Sequence, residues 1–597
     1  MDMISKLSLG FALAGTLLAN VRPSLSEDGA DLILVHGVFY PVQPPEPVHG
    51  SLAVRAGRIV YLGDDAGARG LRGPATRVIE LAGRAVTPGL IDAHSHLKGL
   101  GAALEQVDLG GAASYDEVVR RVRQAADRAD HADGADHAGP LPPGAWLFGR
   151  GWDQNRWPDQ RFPTHQALSR AVPDHPVWLT RVDGHAALLN ARAMAALGID
   201  GTTRDPQGGR LLRDAAGQPT GVLVDRAMDL ARLPEPTPGD RRRQLAAAAR
   251  HCVAFGLTTV TDMGIGQADY EAYGELRRDG RLPLRVALFL ADDAALLARW
   301  FERGPEIDPD ARITVRGVKM YADGALGSRG AALLEPYSDD PGNLGLLVSS
   351  GGHLAAVARQ AAAHGFQVAI HAIGDRGGLV ALDAMERALG GPRPQLRFRL
   401  EHAQVLRLQD IERLARLGII ASMQPTHATS DMPWAKDRLG EARLGGAYAW
   451  RKVLAAGGRL ALGSDFPVES ADPRLGLYAA VTRQDLAGQP PGGWLPGERL
   501  SREEALRGFT LDAAWSLFLE AEVGSLAVGK RADLVVFASD PMTVPEAAIP
   551  RAAVDLTLVD GQVVYQRPGA RSPENAGSPG GAAGASTAAG AGGERPR

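Results

Sequence analysis

The chain is 597 residues long, 45% hydrophobic and 22% charged, too long for one simple core, and it predicts several structural units. A net charge of −4 and a pI near 6.4 exclude the global basic field that nucleic acid or an anionic membrane calls for. One cysteine, Cys252, rules out any disulfide within the chain, and a core of this size needs none.

Lys6 precedes "LSLGFALAGTLLA" (Leu7–Ala19), an apolar stretch of signal-peptide length that is short for a bilayer span. With the small residues Ser24 and Ser26 after it, residues 1–26 read as a signal peptide, which implies a periplasmic or secreted protein. Asp2 offsets Lys6, so a mis-assigned start or an N-terminal helix on a cytoplasmic protein stays open. No other segment reads as transmembrane.

From Asp31, "DLILVHGVFY", "GSLAVRAGRIVYLG" and "TRVIELAGRAV" have strand texture between Gly and Pro turns. "GSLAVGKRADLVVFASD" and "DLTLVDGQVVY" near the other end share it. Neither block is long enough for its own core, so 27–86 and 523–567 are predicted to form one composite β-sandwich. Between them, over 87–522, strand–helix alternation predicts a parallel α/β architecture. Eight candidate strands occur there: "AVTPGLIDAHSH", "GLTTVTDMG", "LRVALFLA", "VRGVKMYADG", "FQVAIHAIGD", "LRFRLEHAQ", "GIIASMQPTH" and "RLALGSDFPV". Eight such units predict a (β/α)8 TIM barrel with its active site at the C-terminal strand ends. The first two strands stand too far apart for one crossover helix, so about 105–235 is an insertion with helices and strands of its own. The low-complexity run at 125–144 reads as a surface loop, which argues against His131 and His137 as metal ligands. Residues 568–597 are Gly/Ala/Ser/Pro-rich and read as a disordered tail.

Residues with metal-site chemistry end these strands. His94 and His96 end the first, and positions i and i+2 of a strand face one side, so the two imidazoles project together. Lys319 lies in the second half of the fourth; His371 ends the fifth, His402 the sixth and Asp465 the eighth. Singly, each fits a core histidine or a salt-bridge partner. Six on one rim point to a metal centre, because apolar strands rarely tolerate unpaired buried polar groups. Neutral imidazoles suit zinc, and a water between two cations loses a proton near neutral pH. Asp465 has the chemistry to touch one metal, take the proton of the attacking water and pass it to a leaving amine. Two divalent ions repel a cationic lysine, so a neutral Lys319 carrying CO2 as a carbamate bridge fits the position. The alternative is an ordinary lysine pairing with Asp323 or a substrate carboxylate.

"TPGLIDAHSH", "VKMYADGALGSRGAAL", "IHAIGD", "RLEHAQ" and "ALGSDFPV" resemble the amidohydrolase superfamily, specifically its family 3 branch with the N-substituted formamide deformylases. "GRGWDQNRWPDQRFPTHQAL" and "RVDGHAALLN" in the insertion resemble that branch too. The resemblance implies a distorted TIM barrel with a small β-sandwich. It also implies two divalent metals, probed first as zinc: His94 and His96 on one, His371 and His402 on the other, Lys319 as carboxylated bridge, and Asp465 as ligand and base. The implied reaction is hydrolysis of a non-peptide C–N bond in a small amide such as an N-substituted formamide. A cyclic amide, ester or phosphotriester on the same scaffold is the alternative, as is a non-catalytic binding relative. The implied partner is a small-molecule substrate, with no nucleic acid, no membrane-spanning segment in the mature chain, and a homo-oligomer left open.

Other residues carry weaker signals. Asp92 shares the face of His94 and His96 and reads as a support for them or as barrel packing. Asp375 fits a helix cap, and His427 a substrate contact. Trp152, Asp153, Asp183 and His185 place the insertion over the barrel mouth or within its own framework. Cys252 reads as a buried apolar residue rather than a metal ligand.

Overall fold

The computed structural model describes residues 29–130 and 144–569. The expected leader at 1–26, the pair His131 and His137, and the tail beyond residue 569 lie outside them.

Eight parallel strands form the barrel: β1 (Leu90–Asp92), β2 (Leu257–Ile265), β3 (Arg285–Ala291), β4 (Ile313–Tyr321), β5 (Gln367–Ala372), β6 (Arg399–His402), β7 (Ile420–Met423) and β8 (Arg459–Leu462). Val, Ile, Leu and Ala dominate them, as strands covered on both faces require. Registers such as Lys319↔Ala369, Tyr321↔His371 and Ala372↔His402 bring the ends of β4, β5 and β6 level. Between β8 and β1 no regular ladder forms, and the barrel is nearly closed rather than cylindrical. The Ala93 N–H donates to Leu462 O at 3.1 Å and the Asp465 N–H to His94 O at 2.7 Å. Asp92 clamps the same seam, accepting from the Ser464 N–H at 3.0 Å and its hydroxyl at 2.6 Å. That seam sets Asp465 against His94.

The segment "AVTPGLIDAHSH" is two strands, not the single one expected. Ala85–Pro88 pairs with Leu534–Phe537 and with Phe39 in another sheet, and only Leu90–Asp92 enters the barrel. Gly89 makes the step between sheets, where a Cβ would lie 2.0 Å from Thr258 Oγ1.

That other sheet has eight strands drawn from both ends of the described chain, five within Ala30–Pro88 and three within Leu534–Gln566. Leu34, Leu52, Ile79, Leu534 and Leu556 share its core. It is tied to the N-terminal end of the barrel by Arg285, which pairs with Asp533 at 2.8 Å and Asp560 at 2.5 Å.

A third sheet lies within the long β1–β2 connection. Its six strands run in the order Gly209–Arg213, Pro219–Asp225, Ala186–Leu189, Val177–Arg181, Leu147–Trp152, Val107–Asp108. Each face has its own apolar core, one including Val118, Val122 and Trp152, the other Trp178, Leu189 and Leu223. Among the described residues no helix is long and apolar enough to cross a membrane.

Candidate metal centre

At the C-terminal ends of the strands the polar residues converge. His94 is fully buried; its Nδ1 meets Glu401 Oε2. Its Nε2 lies 3.5 Å from Asp465 Oδ1 and 3.4 Å from Lys319 Nζ. His96 Nδ1 lies 3.1 Å from Met263 O, leaving Nε2 3.2 Å from Asp465 Oδ1. The His402 ring is centred 4.6 Å from the His94 ring and 4.6 Å from the His371 ring. Its Nδ1 is 2.8 Å from Gln424 Oε1 and 4.0 Å from Asp465 Oδ2. His427 Nε2 is 3.6 Å from Asp465 Oδ2, with Nδ1 held by Gln404 at 3.0 Å.

Asp465 therefore stands between two imidazole sets, His94–His96 and His402–His427, and in each the ligand atoms lie within 4.8 Å of one another. His402 (φ 69°) and Asp465 (φ 62°) both take the left-handed region, a strain that surrounding structure must impose. Asp465 Oδ1 and His427 Nε2 are buried with no hydrogen bond among the described residues. Such atoms cost about 1–3 kcal/mol each unless something satisfies them. A divalent cation does so, and imidazole with carboxylate is a donor set that suits zinc and its neighbours.

The six residues expected from sequence all reach this rim. Lys319 and His371 stand slightly apart from the two tight sets: His371 Nε2 lies 3.3 Å from Gly324 O and 3.8 Å from Asp323 Oδ1. Lys319 does not pair with Asp323, the alternative weighed for it. That carboxylate instead accepts the N–H groups of Ala332 (2.9 Å), Ile373 (3.0 Å) and Gly374 (2.8 Å). Lys319 Nζ sits 4.8 Å over the Tyr321 ring, with no carboxylate in ion-pair range among the described residues.

Burial governs the electrostatics. It lowers His94, with help from the Lys319 charge, to about 4, and drives His371 and His402 well below the usual histidine range. The rings are thus neutral at pH 7, with lone pairs free. Burial likewise brings Lys319 down to about 8. Burial pushes the Asp465 carboxyl up, but the imidazole of His96 against it, with His94 and His427 behind, outweighs that and holds it well below the carboxylate range.

Sequence reading missed Arg399 and Glu401. Both are fully buried, and both alternate with Leu400 along β6. Arg399 donates from Nε to Glu401 Oε1 at 2.7 Å and from Nη2 to Oε2 at 3.0 Å, Ala93 O at 2.6 Å and Ser422 Oγ at 2.8 Å. Period two in "RFRLEH" aims Arg399 and Glu401 to one side, a signal available before the structure. Asp375 does not cap its helix: Gly374 holds the cap position, and Asp375 accepts the Leu334 N–H at 2.9 Å. Cys252 is buried in the apolar layer outside the barrel. Its thiol is pushed up by burial.

In the insertion, Trp152 Nε1 donates to Leu179 O at 2.8 Å, and Arg181 pairs with Asp153 and Asp183 at 2.5 Å each. The next turn carries His185 to the barrel mouth, its ring centred 5.1 Å from that of His371. Burial lowers the His185 pKa, yet the Asp225 carboxylate beside it outweighs burial and the net shift is upward.

The model of the amidohydrolase family matches residues 77–565. YtcJ of Bacillus subtilis (strain 168) is 35% identical over 505 residues, 83% of this chain and 91% of its own. The N-substituted formamide deformylase of Arthrobacter pascens is 28% identical across 90% of this chain and 99% of its own. A crystal structure of an uncharacterized metal-dependent hydrolase from Pyrococcus furiosus superposes with a TM-score of 0.66 at 33% identity, covering 86% of this chain and 100% of that one. With a barrel whose strand ends carry such a histidine–aspartate centre, and a match spanning most of its length, the chain belongs to the amidohydrolase family.

Proposed function

We propose that the chain is a metal-dependent hydrolase of a carbon–nitrogen bond other than a peptide bond, with a small amide, first an N-substituted formamide, as substrate. One observation carries the reading: Asp465 Oδ1 is buried, without a hydrogen bond, between two sets of imidazoles. His94, His96 and Asp465 would hold one cation; His371 and His402, with His427 beside them, would hold a second. Zinc is the metal such donors favour. When bound, such ions supply Lewis acidity toward a carbonyl and acidify water.

Asp465 accepts the proton of the water that attacks the carbonyl carbon and donates it to the departing nitrogen, which leaves as an amine. Glu401 and Gln424 orient the rings of His94 and His402 through their Nδ1 atoms. Lys319 would take part in holding the ions as its carbamate: CO2 would add to the neutral Nζ, an N–C bond forming as an Nζ proton leaves. Its burial, its pKa near 8 and its lack of a carboxylate partner among the described residues support this. The formamide assignment is supported by the deformylase of Arthrobacter pascens, matched along nearly its full length.

Metal analysis and a screen of N-formyl and N-acyl amines for amine release test the proposal together. The expected outcome is about two equivalents of zinc, activity lost to a chelator and restored by the ion. Full activity in metal-free protein, or no amine release across the panel, refutes it.

A further inference from the structure

The insertion sends one side chain into the reaction centre. His185 and Asp225 face each other across neighbouring antiparallel strands, one position beyond the Ala186↔Val224 pair. The Asp225 N–H donates to His185 O at 2.9 Å, and the His185 Nδ1 lies 2.7 Å from Asp225 Oδ1. A carboxylate only accepts, so Nδ1 is the donor of that bond and Nε2 is the ring nitrogen left over. Nε2 has no hydrogen-bond partner among the described residues. The His185 side chain is 19% exposed where that of Asp225 is 1%, so the imidazole, not its anchor, faces open space beside His371.

The anchor is built at a cost. Asp225 takes φ 50°, ψ −127°, a conformation that residues with a Cβ avoid. Its carboxylate is sleeved by the loop after β4. A Cβ at Gly324 would fall 2.5 Å from Asp225 Oδ1, and one at Gly330 2.3 Å from Oδ2. The glycines of "ADGALGSRG" thus make room for this carboxylate against the loop whose Gly324 carbonyl touches His371. Such strain, spent on holding one imidazole from a separate sheet over a barrel rim, fits a functional constraint better than docking, which Arg438 and Asn155 already provide at 2.7 Å.

We propose that His185 is a catalytic residue contributed by the inserted sheet, its Nε2 hydrogen-bonding the amide group of the substrate at the metal centre, and that Asp225 is its positioning residue. This rests on the amide-hydrolase reading above. In the reading above the ions fall to the barrel's own His94, His96, His371, His402 and Asp465, and the Nδ1 of His185 is taken by Asp225, so loss of His185 should leave the metal in place.

The test compares wild type with His185→Gln, His185→Phe and Asp225→Asn, measuring metal content, melting temperature, kcat and KM on N-alkyl formamides, and affinity for acetohydroxamate, which presents the same carbonyl and N–H as an amide. Removing one such hydrogen bond costs roughly 100-fold in kcat. His185→Phe should show that loss with unchanged metal content and weaker acetohydroxamate binding. His185→Gln should recover part of both, and Asp225→Asn should fall between. Equal acetohydroxamate affinity and kcat in wild type and His185→Phe overturns the assignment, as does loss of metal in that variant. A panel that wild type does not hydrolyse, with acetohydroxamate binding still dependent on His185, sinks the reaction and leaves the contact standing.

Discussion

Replacing Glu401 by Gln isolates the support beneath the metal centre. The carboxylate has three donors around it: the His94 Nδ1 and the Arg399 Nη2 at Oε2, and the Arg399 Nε at Oε1. All three side chains are fully buried, so none can turn to water. Burial alone raises the Glu401 pKa, but the Arg399 charge and the His94 imidazole, with their hydrogen bonds, together outweigh it and hold the group well below the carboxylate range. A glutamine offers one oxygen and one NH2, so one side must face donor to donor. If the NH2 faces His94, the imidazole keeps its proton on Nε2 and no longer has a lone pair for a cation. If it faces Arg399, a buried guanidinium loses its strongest bond.

Two magnitudes follow. Metal affinity should drop about 10- to 100-fold, the usual effect of removing such an orienting partner, or ~1.4–2.8 kcal/mol. Breaking a fully buried pair by neutralising one member should cost about 3–5 kcal/mol of stability. Competition against a chelating indicator reads the first, and urea unfolding of the chelator-treated protein reads the second. Adding Arg399→Met should return part of the stability, because the unpaired charge is gone, but not the metal affinity. A Glu401→Gln protein that unfolds cooperatively and binds zinc as tightly as wild type would falsify the role given to Glu401.

Lys319→Ala should lose metal and activity together, with partial recovery in millimolar acetate or formate standing in for the missing anion; full activity in plain buffer ends the carbamate proposal. Gly324→Ala puts a methyl 2.5 Å from Asp225 Oδ1, so kcat on any substrate found should fall several-fold with metal content unchanged, and an unaffected kcat contradicts the sleeve. Arg285→Met removes the partner of Asp533 and Asp560 at the junction of barrel and sandwich and should cost roughly 3–5 kcal/mol in urea unfolding. Burial raises Asp560, but Arg285, together with Arg531 and Arg312, outweighs it and the folded pKa is depressed. Its contribution is therefore present above the unfolded value, about 3.9, and lost as pH falls through the lower folded value. Acid titration of the urea midpoint should show that loss in wild type and less of it in Arg285→Met.

The barrel was legible because its signal is local. Each strand is a short apolar run bounded by turns, and helices follow them, some opened by a side-chain cap such as Asp293 before Ala294–Arg303 or Ser350 before Gly351–Ala363. Where a run was misread, the cause was a partner no local pattern reveals. "AVTPGLIDAHSH" is apolar throughout, so periodicity could not show that Gly89 hands the chain from one sheet to another. The inserted sheet reads in sequence only as mixed content, because its edge strand Val107–Asp108 pairs in parallel with Leu147–Trp152 across a long connection that no turn chemistry marks.

The candidate metal centre was legible for a different reason: histidines at the ends of apolar strands are conspicuous against their background. Their supports were not, because Arg399 and Glu401 look in sequence like any charged pair on a solvated face. Only closure of the barrel makes that face an interior. The same logic applies to His185 and Asp225, which lie 40 residues apart and become neighbours through one strand register. What local pattern cannot supply in either case is the counterpart of a buried polar group. Such a group is costly without one, so for each conspicuous histidine the informative next question is which carboxylate or amide holds its far nitrogen. His94 points to Glu401, His402 to Gln424, His427 to Gln404 and His185 to Asp225. Three of the four partners come from barrel segments following β5 and one from the insertion, so the centre depends on both units being docked. A truncation that deletes the inserted sheet should accordingly lose turnover before it loses the ion.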